Sequence, residues 1–172
     1  MMQSRNEGNE KYKVLAYDGL MIAFAMLLSY VETLIPFYFG APGIKPGLAN
    51  FFTLFLLYRR HYGQALVVNG CRILLGGFLF GNLFSILYSL AGAVCSYLLM
   101  LVLLRIKWLN VINVSMFGGI AHNVGQFVMA LCVLSGTNLW YYLPVLLLAG
   151  MVTGIVNGVL VREITPYLKR FL

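Results

Sequence analysis

The sequence predicts an all-α, polytopic membrane protein with six transmembrane helices, and three observations carry that prediction. Its 172 residues are 61% hydrophobic and 10% charged, with a mean hydropathy of +0.87, which is more apolar surface than a soluble core can hide. The apolar residues fall into successive runs after residue 13, with room for five to seven spans at about 20 residues each. Finally, ten of the twelve Lys and Arg lie in segments 1–13, 59–63, 105–110 and 162–172, which alternate with those runs. Basic connections prefer the cytoplasmic face, so both termini are expected there. The expected organisation is a cytoplasmic tail over 1–13, a six-helix transmembrane domain over 14–161 and a cytoplasmic tail over 162–172.

The first span is expected from about Val14 to Ile35, stopped by Pro36. It follows Arg5, Lys11 and Lys13 as a signal peptide would, but its length, Asp18 and the further runs mark a retained helix. A Gly- and Pro-rich outer loop, Phe39 to Lys45, leads to Pro46, which suits a first helical turn. The second helix, about Gly47 to Tyr58, is short and ends at Arg59-Arg60-His61. The third is expected over Gln64 to Phe80, the fourth over Leu83 to Leu104, the fifth over Val111 to Leu134 and the sixth over Leu143 to Val161. Gly150, Gly154 and Gly158 flatten one face of the sixth helix for close packing inside the bundle; Gly19 and Ala23 on the first fit internal packing or partner docking equally.

The net charge of +7 is spread in twos and threes between apolar runs, so membrane topology explains it and a nucleic-acid partner is not expected. Cys71, Cys95 and Cys132 stand singly without metal spacing and read as buried small hydrophobes. There is no phosphate-binding Gly-x-x-x-x-Gly-Lys-Ser/Thr loop, and the acidic residues Glu7, Glu10, Asp18, Glu32 and Glu163 form no cluster for magnesium. No cofactor, no metal site and no self-sufficient enzyme is expected.

Two cations depart from the inner segments: Lys45, in the first outer loop, and Arg72, in the middle of the third helix. An arginine near the bilayer centre costs at least ~2.5 kcal/mol to insert and needs a partner or a watery cavity. Glu32 is one candidate partner and a bound anion the other. His122, Asn123 and Gln126 add polar groups to the fifth helix, with 122 and 126 on one face. Asn50 is a further hydrogen-bonding candidate, while Asn69 and Asn157 read as links between helices. Trp140, Tyr141 and Tyr142 read as an interfacial belt; Tyr88 fits either a belt or a pocket wall. His61 is assigned no chemistry.

Several stretches bear a family resemblance: Pro42-Gly-Ile-Lys-Pro-Gly-Leu-Ala-Asn50, Arg72-Ile-Leu-Leu-Gly-Gly77 with Phe80-Gly81, Tyr88-Ser-Leu-Ala-Gly92, Ser115-Met-Phe-Gly-Gly-Ile-Ala-His-Asn123 with Gln126, Tyr142-Leu-Pro144 and Gly150 to Gly158. From about residue 18 onward the chain resembles the Gx transporter family, also labelled heptaprenyl diphosphate synthase component I. Pro46 replaces an expected aliphatic residue and Gly119 an expected alanine; neither removes a polar group. That family is in turn similar to the substrate-binding S components of bacterial energy-coupling factor (ECF) transporters. The resemblance implies a six-helix bundle in the plasma membrane that captures a micronutrient in its outer half. It implies as partners a transmembrane coupling protein and two ATPase subunits, docked through small residues on the first helix, here Gly19 and Ala23.

On this reading Lys45 and Arg72 hold an anionic group, and Asn50, His122, Asn123 and Gln126 supply hydrogen bonds, with Glu32 completing the candidate set. The other family label implies instead a membrane accessory subunit for a soluble prenyl synthase; short inner loops offer such a partner little surface, since specific interfaces use roughly 20–30 residues a side. A proton- or sodium-driven carrier using Asp18, Glu32 or His122 is a third reading, but no internal repeat supports it.

Overall fold

The computed structural model describes residues 2–34, 47–134 and 139–168, and among these every regular element is helical. They are α1 (Met2–Leu34), α2 (Asn50–Tyr58), α3 (Tyr62–Phe80), α4 (Leu83–Leu103), α5 (Val111–Val133) and α6 (Leu143–Leu168), with a 3-10 turn at Leu139–Tyr142 before α6. Five of the six are long and apolar enough to cross a membrane, and the chain is a multi-pass membrane protein. Two expected ends move: α1 is helical back to Met2, and α6 continues past Val161 to Leu168 with Pro166 inside it. The helical hydrogen-bond ladder does not need apolar side chains, so it runs on past the apolar spans.

The exception in length is α2. Nine residues span roughly 13 Å, less than half of a ~30 Å hydrocarbon core, and seven of the nine are buried. Such a helix can be hydrophobic all round only because it lies inside protein. It packs chiefly against α3 and α6.

The turn from α2 to α3 has a tight cap. The N–H of His61 donates to Leu56 O at 2.9 Å and that of Arg60 to Leu57 O at 2.9 Å, the Schellman pattern. The pattern needs a left-handed residue, and Arg60 supplies it at φ 64°. Glycine normally takes that position because it lacks the Cβ that makes the conformation costly.

Close glycine contacts hold α4, α5 and α6 together. A Cβ at Gly154 would stand 2.5 Å from Ser115 O and 2.8 Å from Met116 Cα; one at Gly158 would stand 2.7 Å from Ile112 Cα, and one at Gly150 would stand 2.6 Å from Gly119 O. The glycines of α6 therefore serve internal packing, as their spacing predicts. Gly119, where alanine was expected, faces Gly150 too closely for a methyl group. On α4, Gly92 meets His122 in the same way.

Two apolar clusters occupy the two ends of the bundle. One joins Phe51–Leu57 of α2 with Tyr97, Met100, Val111, Val114 and Val161, at the end that carries Arg59, Arg60, Arg105 and Lys107. The other joins Tyr88, Phe127, Ala130, Leu139 and Leu146. Tyr88 is a core residue there, whereas Trp140 and Tyr141 are exposed and fit an interfacial belt. The cysteines correct the expectation: Cys95 and Cys132 are exposed and Cys71 is half-buried. In a bilayer the outside of a bundle is as apolar as its inside, so a small hydrophobe has no reason to face inward.

Candidate functional site

Between the two apolar clusters lies a layer of buried polar side chains. Arg72 stands ten residues along α3 from Tyr62, about 15 Å from that helix end, and so near mid-depth. It is buried, and its guanidinium donates to Asn69 Oδ1 from Nε at 3.2 Å and from Nη2 at 2.8 Å, with longer contacts to Ser29 Oγ at 3.3 Å and Asn50 Oδ1 at 3.4 Å. Asn69 lies three residues before Arg72, one turn away on the same face. It was expected to link helices and instead supports the arginine of its own helix.

Glu32 is buried one turn beyond Ser29 on α1 and accepts a hydrogen bond from the Leu48 backbone N–H. No ion pair joins it to Arg72 among the described residues, although its charge acts on the guanidinium through space. Leu48 belongs to the turn that opens α2, where unpaired N–H groups and the helix dipole favour a carboxylate. Gly47, at φ +91°, lets that turn form, and its carbonyl accepts from Asn157 Nδ2 of α6 at 3.1 Å. Thus α2 begins at mid-depth, tied to α1, α3 and α6 by polar contacts.

His122, Asn123 and Gln126 of α5 are buried in the same layer. The His122 ring packs between Gly47 and Gly92 and lies within electrostatic reach of Arg72. Gln126 Nε2 lies 2.8 Å from His122 Nε2, and Asn123 Nδ2 donates to Leu146 O of α6 at 2.6 Å. Three buried amide oxygens here have no hydrogen-bond partner, Asn123 Oδ1, Gln126 Oε1 and Asn157 Oδ1, while His122 Nδ1 faces the Gly92 backbone. With the amide and ring orientations assigned as above, His122 Nε2 accepts, so Nδ1 carries the proton. The layer therefore offers three carbonyl acceptors besides Arg72, with the imidazole N–H turned to the Gly92 backbone. Leaving such groups unmet costs roughly 1–3 kcal/mol each, so each calls for water or a ligand.

The space at the layer is small. A cavity of about 10 Å³ touches Gly47, Asn50, Ser96, Ser115, Thr153 and Asn157, enough for about one water. A micronutrient needs roughly 300–1,000 Å³, far more than this cavity between α2, α4, α5 and α6 provides.

Of the expected site residues, Asn50, Arg72 and His122 meet around the Gly47–Asn50 turn, Glu32 grips that turn, and Asn123 and Gln126 flank His122. Lys45 lies outside the described residues. Ser29 and Asn157 also belong to the layer, and only their facing partners reveal it: Ser29 through Arg72, Asn157 through Gly47. On α1, Gly19 has nothing within 4 Å of an added Cβ and Ala23 is exposed, so neither packs inside the bundle.

No curated protein and no solved structure matches the chain. The family model described as heptaprenyl diphosphate synthase component I matches residues 21–164, which contain every residue of the layer. The chain belongs to the heptaprenyl diphosphate synthase component I family.

Proposed function

We propose that the chain is the substrate-binding membrane subunit, or S component, of an ECF-type importer in the bacterial plasma membrane. It captures from outside a small anionic micronutrient, or a precursor related to isoprenoids or quinones. The observation that supports this most is the mid-depth polar layer, where Arg72 and three amide oxygens without hydrogen-bond partners are buried. Arg72 and Lys45 meet the anionic group, and Asn50, His122, Asn123 and Gln126 supply hydrogen bonds. Glu32 holds the Gly47–Asn50 turn, which must move aside to admit a ligand. The coupling protein and two ATPase subunits supply energy and dock on the open face of α1 around Gly19 and Ala23. The subunit itself is not an enzyme and holds no cofactor.

The family description favours a second reading, a membrane accessory subunit that holds a soluble prenyl synthase. α1 and α6 extend beyond the expected spans at the basic end and give a soluble partner more surface than the short loops alone.

One experiment separates the two readings. The tagged protein is recovered from native membranes, and co-purifying proteins and small molecules are identified by mass spectrometry. A coupling protein with its ATPases supports the importer; a soluble prenyl synthase alone overturns it in favour of the accessory subunit.

A further inference from the structure

A cavity of mixed lining lies away from the polar layer, at the basic end. It encloses about 450 Å³ between α1, the end of α2 and the start of α3, a volume in the range of small-molecule sites. Its wall divides by chemistry. Val14, Met21, Phe55 and Leu56 make an apolar side, and Lys13, Arg59 and His61 bring basic groups to the rim. The single carboxylate there, Asp18, accepts from Gln64 Nε2 at 3.0 Å. Lys13, Arg59, His61 and Asp18 thus share one wall with the apolar side chains.

The adjoining turn keeps those groups in place. Arg59 and His61 flank Arg60, whose left-handed backbone and paired N–H bonds fix the directions in which its neighbours leave the chain. Phe55 and Leu56 are buried in the core cluster and give the apolar wall a rigid backing. A cavity at a membrane boundary with a basic rim and an apolar back wall fits an amphiphile with an anionic head. Basic pockets between helices recognise phosphate headgroups in this manner, and arginine matches phosphate through paired N–H donors.

We propose that this cavity binds an amphiphile with a net-anionic phosphate head, its phosphate held by Arg59 and Lys13 and its chain laid against Met21, Phe55 and Leu56. The site is separate from the Arg72 layer and does not depend on the importer reading. The phosphate could belong to an anionic lipid of the adjoining leaflet or to a soluble phosphate ester, and the test distinguishes these sources.

Full-length protein in neutral detergent is titrated with phosphatidylglycerol, phosphatidylcholine or inorganic pyrophosphate, and bound adducts are counted by native mass spectrometry. We expect phosphatidylglycerol to bind at least tenfold more tightly than phosphatidylcholine, and Lys13→Gln with Arg59→Gln to reduce that preference to twofold or less. Arg105→Gln with Lys107→Gln removes the same charge at the same end outside the cavity and should leave the preference intact. Lys13 is exposed, so Lys13→Gln alone keeps the fold, as circular dichroism checks, and should weaken binding several-fold. Pyrophosphate that leaves the lipid adduct in place assigns the site to a headgroup; pyrophosphate that binds and displaces it assigns a soluble ester. Equal loss in both double variants, or no preference for either phosphate probe over phosphatidylcholine, overturns the proposal.

Discussion

Replacing Arg72 by leucine separates a structural arginine from a ligand-binding one. The substitution removes two good hydrogen bonds to Asn69 and two long ones to Ser29 and Asn50. It also removes the Arg72 charge that acts on the buried Glu32 carboxylate. Uncovering a buried charge costs about 3–5 kcal/mol, though Glu32 keeps its bond from Leu48 N–H, so the lower figure is expected. At roughly 2–4 °C per kcal/mol for a chain of this size, the midpoint of thermal unfolding in detergent should fall by about 6–12 °C. Glu32→Gln alone should also destabilise, while the double variant should recover about 1–3 kcal/mol relative to the sum of the two losses. Circular dichroism on the four proteins measures this. Additivity within about 0.5 kcal/mol would refute the electrostatic link between the two residues. The double variant then reports on the ligand: if it folds well and still takes up the small molecule that co-purifies with the wild-type protein, Arg72 does not hold substrate.

Three further predictions follow from local geometry. Gly154→Ala drives a methyl group into the backbone of Ser115 and Met116 and should cost about 1–3 kcal/mol, read as a lower unfolding midpoint; an unchanged midpoint would mean that α5 and α6 are less tightly apposed. Gly19→Leu meets only open space, so the midpoint should stay while recovery of the ATPase subunits drops; retained recovery would remove Gly19 from the docking face. Arg60→Gly relieves a left-handed residue and should raise stability by about 1 kcal/mol, and a loss would mean that the arginine side chain contributes more than its backbone costs.

Much of the helical order was legible because apolar runs and basic punctuation are properties of the sequence itself. The limits of α1 and α6 were not, since polar residues continue a helix without any change in hydropathy. Arg72 was legible from cost alone: a charge inside an apolar run demands an explanation. The support of Asn69 for it was readable in principle, because residues three apart share a face. Ser29 and Asn157 were not readable, because an isolated polar residue on one helix acquires meaning only from what stands opposite. The same holds for the cavity at the basic end. Lys13, Asp18, Arg59, His61 and Gln64 come from three elements, and only the packing of α1 beside α3 brings them together.

The short α2 explains why the polar layer lies where it does. A helix that crossed the whole membrane would carry its unpaired N–H groups to the surface and hide its middle in regular hydrogen bonds. By starting at the level of Arg72, α2 brings a helix N-terminus, equivalent to about half a positive charge, to mid-depth. Discontinuous helices present such ends to anionic groups in membrane transporters. In this structure Glu32 supplies an anion there, through Leu48 N–H. An incoming carboxylate or phosphate would meet Arg72 and the same helix end, and would compete with Glu32 for both. On the proposed reading, ligand entry would release the Gly47–Asn50 turn from α1. Asn157 of α6 donates to Gly47 O in that same turn, so α6 would feel the change.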